Sequence, residues 1–212
     1  MLDPATPGSS APPAPSGPRR VEVIGDSLTR QSNDHLARTL SDHGYLATIA
    51  SKPRESLDRD FVQAALAASE ARPSDVVVLA TAANDALTEA GQSSWLGADG
   101  ARDAYRTRLA DAIRRFPGRC TVVVNARDVS PIFEPVQASL LNIDIEMVAA
   151  PFGDVVVVDW ASISRAHTDD WFIADLEHFG LDPGTTADVL PGAQAYADAI
   201  ADGVSRCPAR TG

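Results

Sequence analysis

The feature that most limits the possible folds is a regular alternation of two sequence periods. Short runs of β-branched and other apolar residues, typical of strands, are followed by segments whose apolar residues recur as in amphipathic helices. This alternation predicts an α/β fold, a three-layer α/β/α sandwich with a five-stranded, mostly parallel sheet. The predicted strands are residues 21–24, 46–50, 75–80, 120–125 and 155–159; the predicted helices are one carrying Leu28, Leu36 and Leu40, and those at 57–71, 101–116, 136–149 and 192–204.

The net charge of −11 on 212 residues argues against two functional classes. Proteins that bind nucleic acid usually carry a basic face, and proteins that dock on anionic membranes carry clusters of Lys and Arg. The longest apolar runs, 76–80 and 155–158, are the length of strands and not of membrane spans. The composition therefore favours a ligand that is neither nucleic acid nor an anionic membrane surface.

Residues 1–20 differ in composition from the rest of the chain. They are rich in Pro, Ser, Ala and Gly and show no apolar periodicity, which predicts a flexible linker or tail. Residues 21–212 are predicted to form one domain. The first 20 residues also lack the apolar core of a signal peptide. Either the chain is part of a longer secreted or membrane-tethered protein, or a signal has already been removed.

The chain has two cysteines, Cys120 and Cys207, and no C-x-x-C pair, so a zinc site built on cysteine is not expected. Cys120 opens a predicted strand and Cys207 follows the last predicted helix. A disulfide between them would tie down the C-terminal end and would imply an oxidising, extracytoplasmic compartment. The alternative is two separate buried thiols, with which a cytoplasmic location remains open.

Polar residues follow the predicted strands where each strand ends. Ser27 follows the first strand at a strand-to-helix turn, for which Gly25 supplies backbone freedom, and the helix start favours negative charge. This position suits a nucleophile; the alternative is that Asp26 or Ser27 only caps the helix. Asn84 follows the third strand and Arg127 the fourth. Because ligands bind at the carboxyl ends of parallel strands, these side chains form one candidate site.

A serine hydroxyl needs a base to become a nucleophile near neutral pH, and histidine titrates in the right range. Of the four histidines, His178 is preferred because Asp175 precedes it by three residues. On a helical turn this spacing lets the carboxylate bond one imidazole nitrogen and leaves the other for Ser27. The alternative for the pair is a surface contact in a loop. The remaining histidines are expected at the surface: His35, His43 and His167.

Together these motifs resemble those of the SGNH (GDSL) hydrolase superfamily. The tetrapeptide GDSL at residues 25–28, the Asn-Asp pair after the third strand and the D-x-x-H motif before the last helix occur in the family's order. The resemblance covers roughly residues 21–204. It implies that Ser27 is the nucleophile, His178 the base and Asp175 its partner. The backbone N–H of Ser27 and the side-chain amide of Asn84 would stabilise the oxyanion, and no metal or organic cofactor is implied.

The chain also departs from the family pattern. The glycine whose N–H serves as a further oxyanion donor is missing from residues 51–54 (SKPR), where the N–H of Ser51 or Arg54 could replace it. Ala82 replaces another glycine, and residues 179–190 form a longer stretch than usual that could shape an acceptor site. Substrate contacts are expected from Asp26, Arg54, Arg127 (toward an anionic substrate) and Trp171, which would line an acyl pocket unless it belongs to the core.

The resemblance implies a serine esterase or O-acyltransferase that acts on short ester-linked acyl groups. Extracytoplasmic members of the family include domains fused to membrane acyltransferases, so a carbohydrate or cell-envelope glycan is the expected substrate or acceptor. A tether to such a membrane protein in a longer parent chain is one expectation, and the domain itself is expected to be a monomer. The alternative function is a binding domain on the same fold with weak or no catalysis.

Overall fold

The sheet contains five strands, all parallel, in the order β2-β1-β3-β4-β5. This arrangement is seen in a computed structural model that describes residues 19–91, 99–129, 135–172, 178–180 and 190–208. The order is that of flavodoxin-like sheets, and it confirms the predicted α/β class. The strands are β1 (Arg20–Gly25), β2 (Leu46–Ser51), β3 (Val76–Ala80), β4 (Cys120–Val124) and β5 (Val155–Val158).

Helices cover both faces of the sheet, as predicted. One apolar cluster joins α2 and α8 to the first face, and a second joins α3, α5 and α6 to the other. Every residue of β3 and β4 is buried, which explains their uninterrupted apolar sequences. The helices are α1 (Ser27–Gln31), α2 (Asn33–Asp42), α3 (Asp60–Glu70), α4 (Ala82–Gly91), α5 (Asp99–Arg114), α6 (Pro135–Ala149), α7 (Trp160–Arg165) and α8 (Pro191–Ser205).

The helical segment after β1 is divided where the sequence pattern predicts continuity. Ser32 lies between α1 and α2 with φ −91° and ψ 4°, outside the helical region. Leu28, Leu36 and Leu40 are nevertheless all buried, because each of the two helices turns its apolar side toward the sheet. The short helices α4 and α7 were not predicted, and the Asn-Asp pair at 84–85 lies inside the first turn of α4.

The buried side of α6 differs from the predicted stripe. The helical spacing of Val136, Leu140, Ile143 and Met147 predicts one apolar stripe. Three of these residues, Val136, Ile143 and Met147, are instead 45%, 51% and 56% exposed. Apolar residues occur almost all around this helix, so periodicity alone could not decide which side packs against the sheet. The side that is buried consists of Ala138, Leu141, Ile145 and Val148.

A disulfide joins Cys120, the first residue of β4, to Cys207, just beyond α8. The bond confirms the predicted pairing, and neither cysteine remains as a free thiol. It fastens the end of the last helix to the amino end of β4. Among the residues that the structure describes, no helix combines the length and apolar character needed to cross a membrane.

Candidate active site

Ser27 is the first residue of α1 and lies directly beyond the carboxyl end of β1. The side chain of Asp26 caps this helix, because its Oδ1 accepts a hydrogen bond of 3.0 Å from the N–H of Leu28. A Cβ on Gly25 would lie 1.9 Å from Oγ1 of Thr29, so the glycine is required for space. The cap is thus Asp26, and the hydroxyl of Ser27 is left for another partner.

That partner is His178, whose Nε2 lies 3.0 Å from Oγ of Ser27. The two residues are 151 positions apart in the sequence. The residue after His178 is fixed by two contacts: Phe179 forms an antiparallel bridge with Phe172, and the N–H of Phe179 donates to Oε1 of Gln31 at 3.2 Å. The structure therefore brings the predicted nucleophile and base together, whereas Asp175 lies outside the described residues.

An aromatic cluster lies behind the histidine. The Trp160 ring is fully buried and meets Phe179 and Tyr196 edge to face, with centroids 6.0 and 5.0 Å apart. Trp171 is half-buried and stacks between Trp160 and the imidazole of His167. Of the two roles considered for Trp171, these contacts favour packing in the core over lining an acyl pocket.

Asn84 is buried beside the serine turn. Its Nδ2 donates to Oδ2 of Asp26 at 3.0 Å, while Oδ1 of the same carboxylate caps α1. Burial raises the pKa of Asp26 to about 6, and the hydrogen bond from Asn84 opposes this rise. Both carboxylate oxygens are occupied and the residue is 1% exposed, so Asp26 is not placed to contact substrate. It instead joins the nucleophile turn to the predicted oxyanion donor.

Asp85, the residue after Asn84, is hydrogen-bonded to the loop after β2. The sequence did not lead us to expect this contact. Its carboxylate accepts from the N–H of Leu57 at 2.9 Å and from Oγ1 of Thr81 at 2.8 Å. Burial raises the pKa of Asp85 to about 7, against the effect of these two bonds. A carboxylate directly after a predicted oxyanion donor was the only sequence signal that could have suggested this role.

Arg54 lies in this loop and is exposed. Its φ is 62°, and it is the one non-glycine residue with positive φ in the described part of the chain. The left-handed region is favourable for glycine and disfavoured by roughly 1–2 kcal/mol for other residues. The backbone therefore adopts a glycine-like conformation in the segment where the family resemblance leads us to expect a glycine.

Arg127 follows β4 as predicted, but its side chain is directed inward. The guanidinium is fully buried, stacks over the Phe172 ring at 3.8 Å, and donates to the carbonyls of Val129 and Ser164 and to Oγ1 of Thr168. The expectation of a substrate contact is wrong, because these internal acceptors hold the charge away from the surface.

His35 is also buried where exposure was expected. Its Nδ1 lies 2.8 Å from Oε1 of Gln194, so the ring joins α2 to α8 instead of facing solvent. His43 is exposed and His167 is half-buried. Neither of these two is hydrogen-bonded to the serine: the Nδ1 of His43 lies 2.8 Å from the carbonyl of Thr39, and that of His167 lies 3.1 Å from the carboxylate of Asp170.

Comparison with known proteins identifies relatives by structure alone. No protein-family model matches the sequence, and no curated protein matches it either. The C-terminal catalytic domain of peptidoglycan O-acetyltransferase A (OatA) from Streptococcus pneumoniae superposes with a TM-score of 0.65, at 17% identity over 93% of this chain and 100% of that domain. The acetylxylan esterase Axe2 from Geobacillus stearothermophilus superposes with a TM-score of 0.66, at 12% identity over 89% of this chain and 95% of that one.

A third structure carries the name of the family. A GDSL-like lipase candidate from Parabacteroides merdae has a TM-score of 0.65, at 12% identity over 89% of this chain and 96% of that one. The chain has the SGNH hydrolase fold. The SGNH-fold neighbours comprise an O-acetyltransferase, esterases and a lipase candidate. Within the described ranges, no group of three or more His, Cys, Asp or Glu side chains is arranged to hold a metal ion.

Proposed function

We propose that this protein is a serine esterase or O-acyltransferase that acts on short ester-linked acyl groups. The observation that carries the proposal is the 3.0 Å contact between Nε2 of His178 and Oγ of Ser27. A hydroxyl hydrogen-bonded to an imidazole, at the start of a helix and at the carboxyl edge of a parallel sheet, is suited to acyl transfer.

The proposed reaction has two halves. The imidazole of His178 takes the proton of Ser27 as Oγ attacks the ester carbonyl, and then gives that proton to the departing alcohol. The acyl group is left on Ser27. In the second half, His178 deprotonates water or a sugar hydroxyl, which attacks the acyl-enzyme and takes the acyl group, and His178 then returns the proton to Oγ of Ser27. Asp175 is proposed to orient the imidazole, on the basis of the D-x-x-H spacing.

Three donors are proposed for the oxyanion: the N–H of Ser27, the side-chain amide of Asn84 and the N–H of Arg54. An amide nitrogen carries two hydrogens, so the bond from Asn84 to Asp26 leaves one for the substrate. The left-handed backbone at Arg54 supports the third assignment, since φ is 62° where the family resemblance suggests glycine.

We expect Arg54→Gly to keep wild-type kcat, because it keeps the N–H and relieves the strain, whereas Arg54→Val is expected to lower both kcat and stability.

The proposed substrate class is supported by the neighbours and the proposed compartment by the disulfide. Acetylxylan esterases and a peptidoglycan O-acetyltransferase support an acylated carbohydrate or cell-envelope glycan as substrate or acceptor. The bond between Cys120 and Cys207 supports an oxidising, extracytoplasmic compartment. We further propose that residues 21–212 act as a monomeric catalytic domain after a linker at 1–20, which a membrane acyltransferase could precede in a longer protein.

The proposal is tested with p-nitrophenyl acetate and a serine-directed phosphonate. The wild-type protein should hydrolyse the ester and take the phosphonate at Ser27, as detected by mass spectrometry. Ser27→Ala and His178→Ala should each lower kcat by at least about 10³-fold. A wild-type protein that turns over no ester and takes no label would contradict the proposal and leave a binding domain. Adding a sugar acceptor separates transfer, which gives acylated sugar, from hydrolysis, which gives free acid.

A further inference from the structure

A polar cleft lies beside the Ser27–His178 pair. It encloses about 370 Å³ and lies where α1, the start of α2 and the carboxyl end of β2 meet. Ser51 ends β2 and is the register partner of Gly25, directly before the serine turn. The cleft thus opens on the same edge of the sheet as the nucleophile. Its lining residues are Arg30, Gln31, Asn33, Asp34 and Ser51.

The geometry of α1 connects this cleft to the reacting atoms. Ser27, Arg30 and Gln31 stand at positions i, i+3 and i+4 of one helix and therefore share a face. Gln31 also accepts a hydrogen bond from the N–H of Phe179, the residue after His178. A molecule in the cleft would therefore lie about one helical turn from the serine hydroxyl and against a residue that holds the histidine segment.

Three of the lining side chains are free to bind a ligand. Among the described residues, the side chains of Arg30, Asn33 and Asp34 take part in no hydrogen bond or ion pair, and all three are exposed. Another cleft of about 450 Å³, near the ends of β4 and β5, differs in this respect. Most of its polar side chains are bonded to one another or to the backbone: Arg165 to Asp128, Asn125 to Asp159, and Asn142 to Ala126.

The chemistry of the lining selects a class of ligand. The guanidinium, amide, hydroxyl and carboxylate groups supply both donors and acceptors, which matches sugar hydroxyls because each of these can donate and accept. An isolated anion would meet the carboxylate of Asp34, and an acyl chain would find no apolar wall among these residues. We propose that the polar cleft binds the sugar ring that carries the ester or receives the acyl group. This inference rests on the proposed esterase or acyltransferase function.

The test compares two acetyl esters that differ in the alcohol. For wild type, Arg30→Ala and Asn33→Ala, kcat/KM is measured with a mono-O-acetylated methyl xyloside, whose other hydroxyls are free, and with p-nitrophenyl acetate. Each cleft variant should lower the ratio of the sugar ester to the aryl ester at least tenfold, because only the sugar ester loses hydroxyl or ring-oxygen contacts. Arg38→Ala, which removes an exposed arginine from α2 outside the cleft lining, is the matched control and should keep the wild-type ratio.

The outcomes separate this inference from the function on which it rests. A wild-type protein that hydrolyses neither ester contradicts the proposed function. A wild-type protein that hydrolyses the aryl ester, but whose ratio is unchanged in both cleft variants or which does not turn over the sugar ester, overturns the cleft assignment alone. Circular dichroism melts of the exposed-site variants should match wild type, so that a changed ratio reports on binding.

Discussion

At the residue scale, Asp26 connects Ser27, the proposed nucleophile, to Asn84, the proposed oxyanion donor. One oxygen caps the helix that begins with Ser27, and the other accepts from Nδ2 of Asn84. The expected substrate contact was not found. The position of a polar residue after a strand can be predicted from sequence, but the direction of its side chain cannot. The structure shows that this carboxylate sets the positions of two other groups.

Replacing Asp26 with asparagine should lower kcat for p-nitrophenyl acetate by about 10²–10³-fold, with a smaller change in KM. With the new amide oxygen capping Leu28, its NH₂ would face the NH₂ of Asn84 and force that side chain to rotate. Asn84→Ala should have a similar effect, and the double variant should lose little more than either single one, because both act on one donor. Additive losses in kcat would contradict this coupling.

At the element scale, the segment that carries His178 packs against the start of α8. A Cβ on Gly192 would lie 2.6 Å from Cδ1 of Phe179 and 2.9 Å from Cβ of Trp171. Because Phe179 is adjacent to the histidine, any displacement of this ring moves the imidazole relative to Ser27. The glycine in the first turn of α8 thus controls how closely the base approaches the nucleophile.

We therefore expect Gly192→Ala to lower kcat for the aryl ester by about 10- to 100-fold, since small misplacements of reacting groups are costly. Gly153→Ala is the matched control, because a Cβ at Gly153 would meet nothing within 4 Å. Steady-state kinetics and thermal unfolding of both variants would check the prediction. Wild-type kcat in Gly192→Ala would show that the segment adapts without moving the histidine.

The elements that could be predicted are those with one strong signal. The all-apolar β3 and β4 follow directly from sequence, since burial on both faces leaves an uninterrupted apolar run. The register of Tyr196, Ile200 and Val204 on α8 does so too, since burial of one stripe leaves a clear helical period. The side of α6 that packs against the sheet could not be predicted, because apolar residues surround that helix. The short helices α4 and α7 lack such a period.

The residues of the candidate site also differ in whether the sequence predicts them. Ser27, Asn84 and His178 could be predicted because each follows a strand end or precedes the last helix in a family motif. The inward turn of Arg127 depends on tertiary acceptors such as the carbonyl of Ser164, which no local pattern encodes. The role of Asp85 depends on the loop at Leu57, 28 residues away in the sequence.

At the scale of the whole molecule, the disulfide closes a large part of the chain. Cys120 and Cys207 are 87 residues apart, and their bond limits the conformations of the unfolded state. Cys207→Ser, or reduction with dithiothreitol, should lower the free energy of unfolding by about 2–5 kcal/mol. Urea unfolding with and without reductant measures this, and adding reductant to the variant should change nothing. Equal stability in the oxidised and reduced protein would contradict the prediction.

Stability should also fall as the pH rises, because burial raises the pKa of Asp85 from its ordinary 3.8 to about 7. Between these values the folded protein keeps a proton that the unfolded chain has lost, so its contribution is complete below about pH 4 and is gone above about pH 7. Asp85→Asn keeps a similar shape without this titration. Its unfolding free energy relative to wild type should therefore rise by a few kcal/mol from pH 4 to pH 8, as measured by urea unfolding. A constant difference would show that Asp85 does not titrate in this range.

The distance in sequence between Ser27 and His178 has a consequence for how the protein acquires activity. The serine turn belongs to the first strand of the sheet, and the histidine segment is held against α8, the last helix. Contacts between such distant parts of a chain form slowly, because closing a long loop is entropically unfavourable. We therefore expect the proposed catalytic pair to assemble late, and a nascent chain on the ribosome to lack the proposed activity until its C-terminal helix has emerged.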